Sequence, residues 1–191
     1  MKRRKAIGRI LIASGATAAA YGGYEWFELT KKPELSYLLS KTSLLAELAE
    51  TLIPETDTPG AKEAGVMDFM MPLLTECTDT KTLNRFIEGL RDLEAHTHSR
   101  YEKDFLQCTA QERDQILRYI EDRSQSVNET LGRARDRVLG RSFFETLRQY
   151  TVESYCISEK GASQALRYIP VPGRYQGCLP METDQKAWAT N

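Results

Sequence analysis

His96 and His98 are the only histidines in this chain of 191 residues, and a metal or acid–base centre would have to start from them. Both fall in an apolar-periodic run that reads as helix. Residues two apart on a helix diverge by about 200°, so the two rings cannot face one ion unless the helix breaks there. Solvated polar residues near a helix end are the plainer reading. Cys77, Cys108, Cys156 and Cys178 form no Cys-x-x-Cys, no Cys-x-x-Cys-His for covalent haem, and no cluster for iron and sulfur. Neither Gly-x-Gly-x-x-Gly nor Gly-x-x-x-x-Gly-Lys-Ser/Thr occurs, which removes the usual cradles for a dinucleotide or a triphosphate. A serine nucleophile elbow is absent as well. Glu55 and Asp57 offer two carboxylates for acid–base work, but with no partner at a defined spacing they read as a solvated turn. The sequence therefore predicts no catalytic, cofactor-binding or metal-ligating residue in this chain.

In an oxidising compartment the four cysteines allow three pairings. Position favours Cys156 with Cys178, because both lie where Pro and Gly are dense and helix packing alone cannot fix the chain. A closed loop of about 22 residues there would add roughly 3 kcal/mol in the chain-entropy model. Cys77 with Cys108 is the second pairing, across the ends of a long helical stretch. Each of these two reads equally well as a small buried thiol, and a bridge to a partner protein stays open.

Two loops carry more information than a helical protein needs for closure. In Pro54-Glu55-Thr56-Asp57-Thr58-Pro59-Gly60-Ala61 two prolines fix φ, Asp57 and the threonines can bond local amides, and Gly60 permits a turn. The second loop is Tyr168-Ile169-Pro170-Val171-Pro172-Gly173-Arg174-Tyr175-Gln176-Gly177-Cys178. Tyr and Arg are favoured in protein interfaces, and proline lowers the entropy lost on docking. These loops make Pro54, Asp57, Pro59, Gly60, Tyr168, Pro170, Pro172, Arg174 and Tyr175 the candidates for touching a partner. The alternative for the second loop is a tail that seals its own core.

The elements that hold these loops read as helices. Leu44, Leu45, Leu48, Ala49, Leu52 and Ile53 recur at three and four, with Thr42 or Ser43 as N-cap and Pro54 as the stop. Val66, Phe69, Met70, Leu73 and Leu74 make a second apolar face. Leu83, Phe86, Ile87, Leu90 and Leu93 make a third, running to about His98 or beyond. Thr109-Ala110-Gln111-Glu112 is a capping box opening a fourth helix through Ile116, Leu117 and Ile120. Leu131, Arg135, Val138, Phe143, Phe144, Leu147 and Tyr150 mark a fifth. No run alternates long enough to require a strand. The expectation is an all-α domain of about five helices over residues 42–191, closed by an irregular Pro/Gly-rich tail from Ser158 and preceded by a linker and lead-in at 24–41 in which Lys31-Lys32-Pro33 is a hinge at best.

Residues 1–23 have a different character. Lys2-Arg3-Arg4-Lys5 and Arg9 precede Ile10-Leu11-Ile12-Ala13 and a weakly apolar run ending near Gly23. That run is about a dozen residues, short of the roughly 20 that span a bilayer, so it reads as an export signal and not as an anchor. Ala18-Ala19-Ala20 offers a small-residue cleavage site. Arg3-Arg4 resembles the twin-arginine signal, with Lys2 where Ser or Thr is usual, Ala6 where Phe is usual, and Ile7 at a fitting apolar position. An ordinary secretory signal or an uncleaved tether is the alternative. The segment holds five of the 26 basic residues and no acidic one, so residues 24 onward carry 21 basic against 27 acidic side chains, a net charge of −6. Such a body is repelled by phosphate backbones and excludes nucleic acid as the expected partner. At about 170 residues it is the size of one domain with a real core.

Leu48 to Ala61, with its core Ile53-Pro54-Glu55-Thr56-Asp57-Thr58-Pro59-Gly60-Ala61, followed by Ala64-Gly65-Val66 and Asp68-Phe69, resembles the signature of the gluconate 2-dehydrogenase subunit 3 family. The likeness extends to the Thr109 capping box and to the Tyr168-to-Cys178 segment. The resemblance implies a small non-catalytic subunit of a membrane-associated sugar or polyol dehydrogenase. A large flavoprotein of the glucose-methanol-choline type holds FAD and oxidises the substrate, and a multihaem cytochrome subunit often passes electrons on. The small subunit would carry the export signal, escort the folded flavoprotein to the periplasm through the twin-arginine translocation machinery, and stay bound at the inner membrane. The competing expectation is a free-standing periplasmic helical enzyme, with or without a metal, using His96, His98 or the acidic loop.

Overall fold

The computed structural model describes residues 27, 29–124, 136, 139–171, 173, 174, 177, 178, 180 and 183–189. Arg3, Arg4, Pro172 and Tyr175 lie outside them, as do Leu131, Arg135 and Val138. The described chain is all-α: α1 (Leu35–Ser40), α2 (Thr42–Leu52), α3 (Val66–Pro72), α4 (Thr80–Tyr101), α5 (Ala110–Ser124) and α6 (Phe143–Ile157). α3 continues past Pro72 as one wider π-helical turn, Leu73–Cys77, and a second such turn, Gly161–Ala165, follows α6. Extended pairing among the described residues amounts to one bridge, Arg167 with Trp188.

α6 is the hub, packing on α2, α3, α4 and α5. Its Phe143, Phe144, Leu147, Tyr150 and Tyr155 are buried with Leu45 and Leu48 of α2, Met70 of α3, Phe86, Leu90 and Leu93 of α4, and Ile116 and Leu117 of α5. These are the i, i+3, i+4 positions of each helix, so removal of one apolar stripe per helix from water assembles the bundle. Where α4 crosses α6, Gly89 has no side chain and Phe143 fills the space. A β-carbon on Gly89 would lie 2.5 Å from Phe143 Cγ and closer still to its Cβ. Phe143 then reaches the Phe86 ring, centroids 5.0 Å apart at a tilt of 50°.

Several expected boundaries shift. α2 begins at Thr42, but Lys41 is its cap residue without a side-chain bond, and Thr42 Oγ1 donates instead to the Leu39 carbonyl (2.8 Å). That carbonyl belongs to α1, which occupies part of the 24–41 lead-in and buries Leu38 completely. α1 is clamped to α4 because Glu94 accepts from Tyr37 Oη and Lys41 Nζ, each at 2.5 Å. Burial, then the bond to Glu94, raises the pKa of the Tyr37 phenol. The fifth predicted helix starts at Phe143, not near Leu131, and continues through Tyr150 to Ile157. Ser142 and Glu145 form its capping box, Glu145 N–H donating to Ser142 Oγ at 3.4 Å. The Thr109 box forms as read, with Thr109 N–H donating to Glu112 at 2.7 Å and Glu112 N–H to Thr109 Oγ1 at 3.3 Å. That backbone bond holds the Glu112 carboxyl below its ordinary range.

Candidate docking interface

The Pro54–Ala61 loop is shaped from below by one carboxylate. Glu50, in the last turn of α2, accepts from the Lys62 N–H (2.8 Å) and the Glu55 N–H (3.3 Å), so both ends of the loop close on the same side chain. Gly60 lies directly over that carboxyl; a β-carbon there would sit 2.8 Å from Glu50 Cδ, leaving glycine as the residue that fits. Within the loop, Thr56 N–H donates to the Thr58 carbonyl (3.0 Å), Thr56 Oγ1 donates to Asp57 (3.0 Å), and Ala61 N–H returns to the Ile53 carbonyl (2.9 Å). From α6, the Tyr155 hydroxyl donates to the buried Pro59 carbonyl (2.7 Å). Replacing Tyr155 by Phe therefore removes a buried bond and leaves that carbonyl unsatisfied. The expected loss is about 1–3 kcal/mol, read by chemical denaturation as a lower midpoint at unchanged slope.

This construction divides the first set of sequence candidates. Pro54, Glu55, Thr56 and Asp57 are exposed, whereas Pro59 and Gly60 are buried. The last two are corrected from contact residues to supports, since the turn they make is pressed onto Glu50 and Tyr155. Beside the loop, Glu47 binds both Lys62 and Arg113, joining α2, the loop and α5. Burial raises its pKa, but the bonds and charges of Lys62 and Arg113 outweigh that and hold it below the usual carboxylate value. Arg113 also donates to the Leu106 carbonyl (2.8 Å), which presents the half-exposed Leu106 next to the same end of the bundle.

The second loop is held at its base and open at its crest. Arg167 N–H donates to the Ala187 carbonyl (2.8 Å), Ala189 N–H donates to the Arg167 carbonyl (3.0 Å), and the Arg167 guanidinium lies 4.4 Å from the centre of the Trp188 ring. Tyr168 is 50% exposed and Val171 80%, while Pro170 and Arg174 are exposed. None of these four side chains is buried in the core.

α2 and α6 are joined near their C-terminal ends by the Tyr155–Pro59 bond. Lys160, after α6, binds Glu63 just past the first loop (2.8 Å), and Lys186 of the tail donates to the Gln164 carbonyl (2.5 Å) in the turn that precedes the second loop. Glu50, Tyr155 and Trp188 belong to this construction and were not singled out in the sequence. Nothing local marks them, because Tyr155 and Pro59 are 96 residues apart.

The remaining candidates are placed as follows. All four cysteines are free thiols, and neither the Cys156–Cys178 nor the Cys77–Cys108 link is formed. Cys156 lies on α6 and not in the irregular tail, so helix packing fixes it without a bridge. Cys108 is buried, its pKa raised by burial and by Glu112. His96 stacks on Tyr119 of α5, ring centres 3.8 Å apart, while His98 is exposed. Among the described residues no three His, Cys, Asp or Glu side chains gather into a metal-holding group, and no helix is long and apolar enough to cross a membrane.

The described residues form an all-α bundle that carries two built loops. The chain belongs to the gluconate 2-dehydrogenase subunit 3 family, whose model matches residues 40–173. The match runs from the end of α1 through the first loop and into the second as far as Gly173, and it makes the chain a subunit of a dehydrogenase complex. No curated protein and no solved structure matches it.

Proposed function

We propose that this chain is the non-catalytic small subunit of a periplasmic, FAD-dependent dehydrogenase of gluconate or another sugar or polyol. In this reading it escorts the catalytic flavoprotein of the glucose-methanol-choline type during export and then stabilises it. The family match over residues 40–173 carries the reading. The exposed crests of both loops support it, since they offer Pro54, Asp57, Tyr168, Pro170, Val171 and Arg174 to solvent. FAD belongs to the large subunit, a multihaem cytochrome is a further partner, and the complex lies at the inner membrane. A subunit that binds only the folded flavoprotein stabilises it by mass action, which raises activity without a reactive group of its own.

Immunopurification of the native chain from the periplasm tests this. A flavin-containing subunit is expected to accompany it, and Val171→Asp is expected to reduce the amount recovered while leaving the melting curve of the small subunit unchanged. Isolation of the chain alone, or substrate turnover by the chain alone, overturns the proposal.

A further inference from the structure

The export reading separates a signal from a folded body but does not say where the body begins. Asn84, in the first half of α4, is 5% exposed, and its side-chain amide donates to two carbonyls of the lead-in: Leu29 at 2.9 Å and Lys31 at 2.8 Å. Leu29 itself is 5% exposed. Lys31 N–H donates to the Phe27 carbonyl (3.1 Å), and so does Thr30 Oγ1 (3.2 Å). Phe27, two residues before Leu29, is 67% exposed. Among the described residues the chain is thus already anchored in the interior at Leu29, ahead of the Lys31-Lys32-Pro33 hinge that the sequence alone indicates.

We infer that Asn84 is a clamp that makes residues 29–31 part of the folded domain, so that any processing of the N-terminal segment takes place at or before Phe27. A peptidase needs several residues drawn out in extended form. Extending 29–31 would strip two bonds from a buried amide and pull Leu29 out of the interior, so that stretch opens only with local unfolding of the body. Ala18-Ala19-Ala20 precedes the clamp in the sequence and lies outside the described residues. The processing half of the inference rests on the export reading, whereas the clamp does not.

Two measurements separate these halves. Limited trypsin digestion of the full chain reports on the clamp through the Lys31–Lys32 bond, since the bond after Lys32 precedes proline. In the native chain this bond is expected to be cut about as slowly as the one after Arg91 inside α4. In Asn84→Ala it is expected to be cut at least tenfold faster, with cleavage after Arg91 unchanged. Rapid native cleavage after Lys31 overturns the clamp, and so does equal acceleration at both sites in the variant. For the processing half, the intact mass of the chain recovered from the periplasm is expected to give an N-terminus at residue 27 or earlier. A start between residues 29 and 38 overturns it. Recovery of the chain only from the cytoplasm refutes the export reading and leaves the trypsin result to decide the clamp.

Discussion

Replacing Gly89 with alanine is expected to be among the most damaging single-methyl additions to this protein. In an isolated helix the change would stabilise α4 by about 1 kcal/mol, because alanine is the better helix former. Here the added carbon meets Phe143, the first residue of α6, which is itself buried and packed at a tilt against Phe86. Phe143 cannot swing aside without leaving its place against Phe86, and α6 cannot retreat without loosening its contacts with α2, α3 and α5. Overpacking of this kind costs roughly 1–3 kcal/mol, occasionally more, and outweighs the propensity gain. The expected result is a melting temperature lower by about 2–12 °C. A variant as stable as the native chain would mean that the helices do not cross at Gly89.

Changing Arg3 and Arg4 together to lysine is expected to abolish export by the twin-arginine route. The substitution keeps both positive charges, and an ordinary secretory signal needs only that charge ahead of its apolar run. What is lost is the planar guanidinium fork that an ammonium cannot imitate. Fractionation and immunoblotting are expected to find the small subunit and the flavoprotein in the cytoplasm, with periplasmic dehydrogenase activity at background. Activity unchanged by the double substitution would sink the escort role through that route.

What could be read in the sequence depended on how far apart the interacting residues lie. The Thr109-to-Glu112 box and the stop at Pro54 are legible because each motif closes within four residues, and the apolar stripes of α2 through α5 are legible as period. The Ser142-to-Glu145 box follows the same Ser/Thr-x-x-Glu pattern as the Thr109 box. Apolar residues upstream drew the expected helix start back to Leu131 and hid it. The face of α3 was read as uniformly apolar, yet Phe69 is 39% exposed while Val66, Met70 and Leu74 are buried, since a stripe wider than the contact leaves its edge in water. For the interface, composition located both loops but did not distinguish crest from support. Whether Pro59 is a contact or a foundation depends on Tyr155, and no local pattern links the two.

The carboxylate beneath Gly60 has a consequence for mapping the complex. Glu50, Gly60 and Tyr155 set the contour of the proposed docking loop, although the last two are themselves buried. An alanine scan reports the cost of reorganising the free monomer together with the cost of lost contacts. These three positions would then score as binding hot spots without meeting the other surface, and only companion melting curves would expose them as architecture.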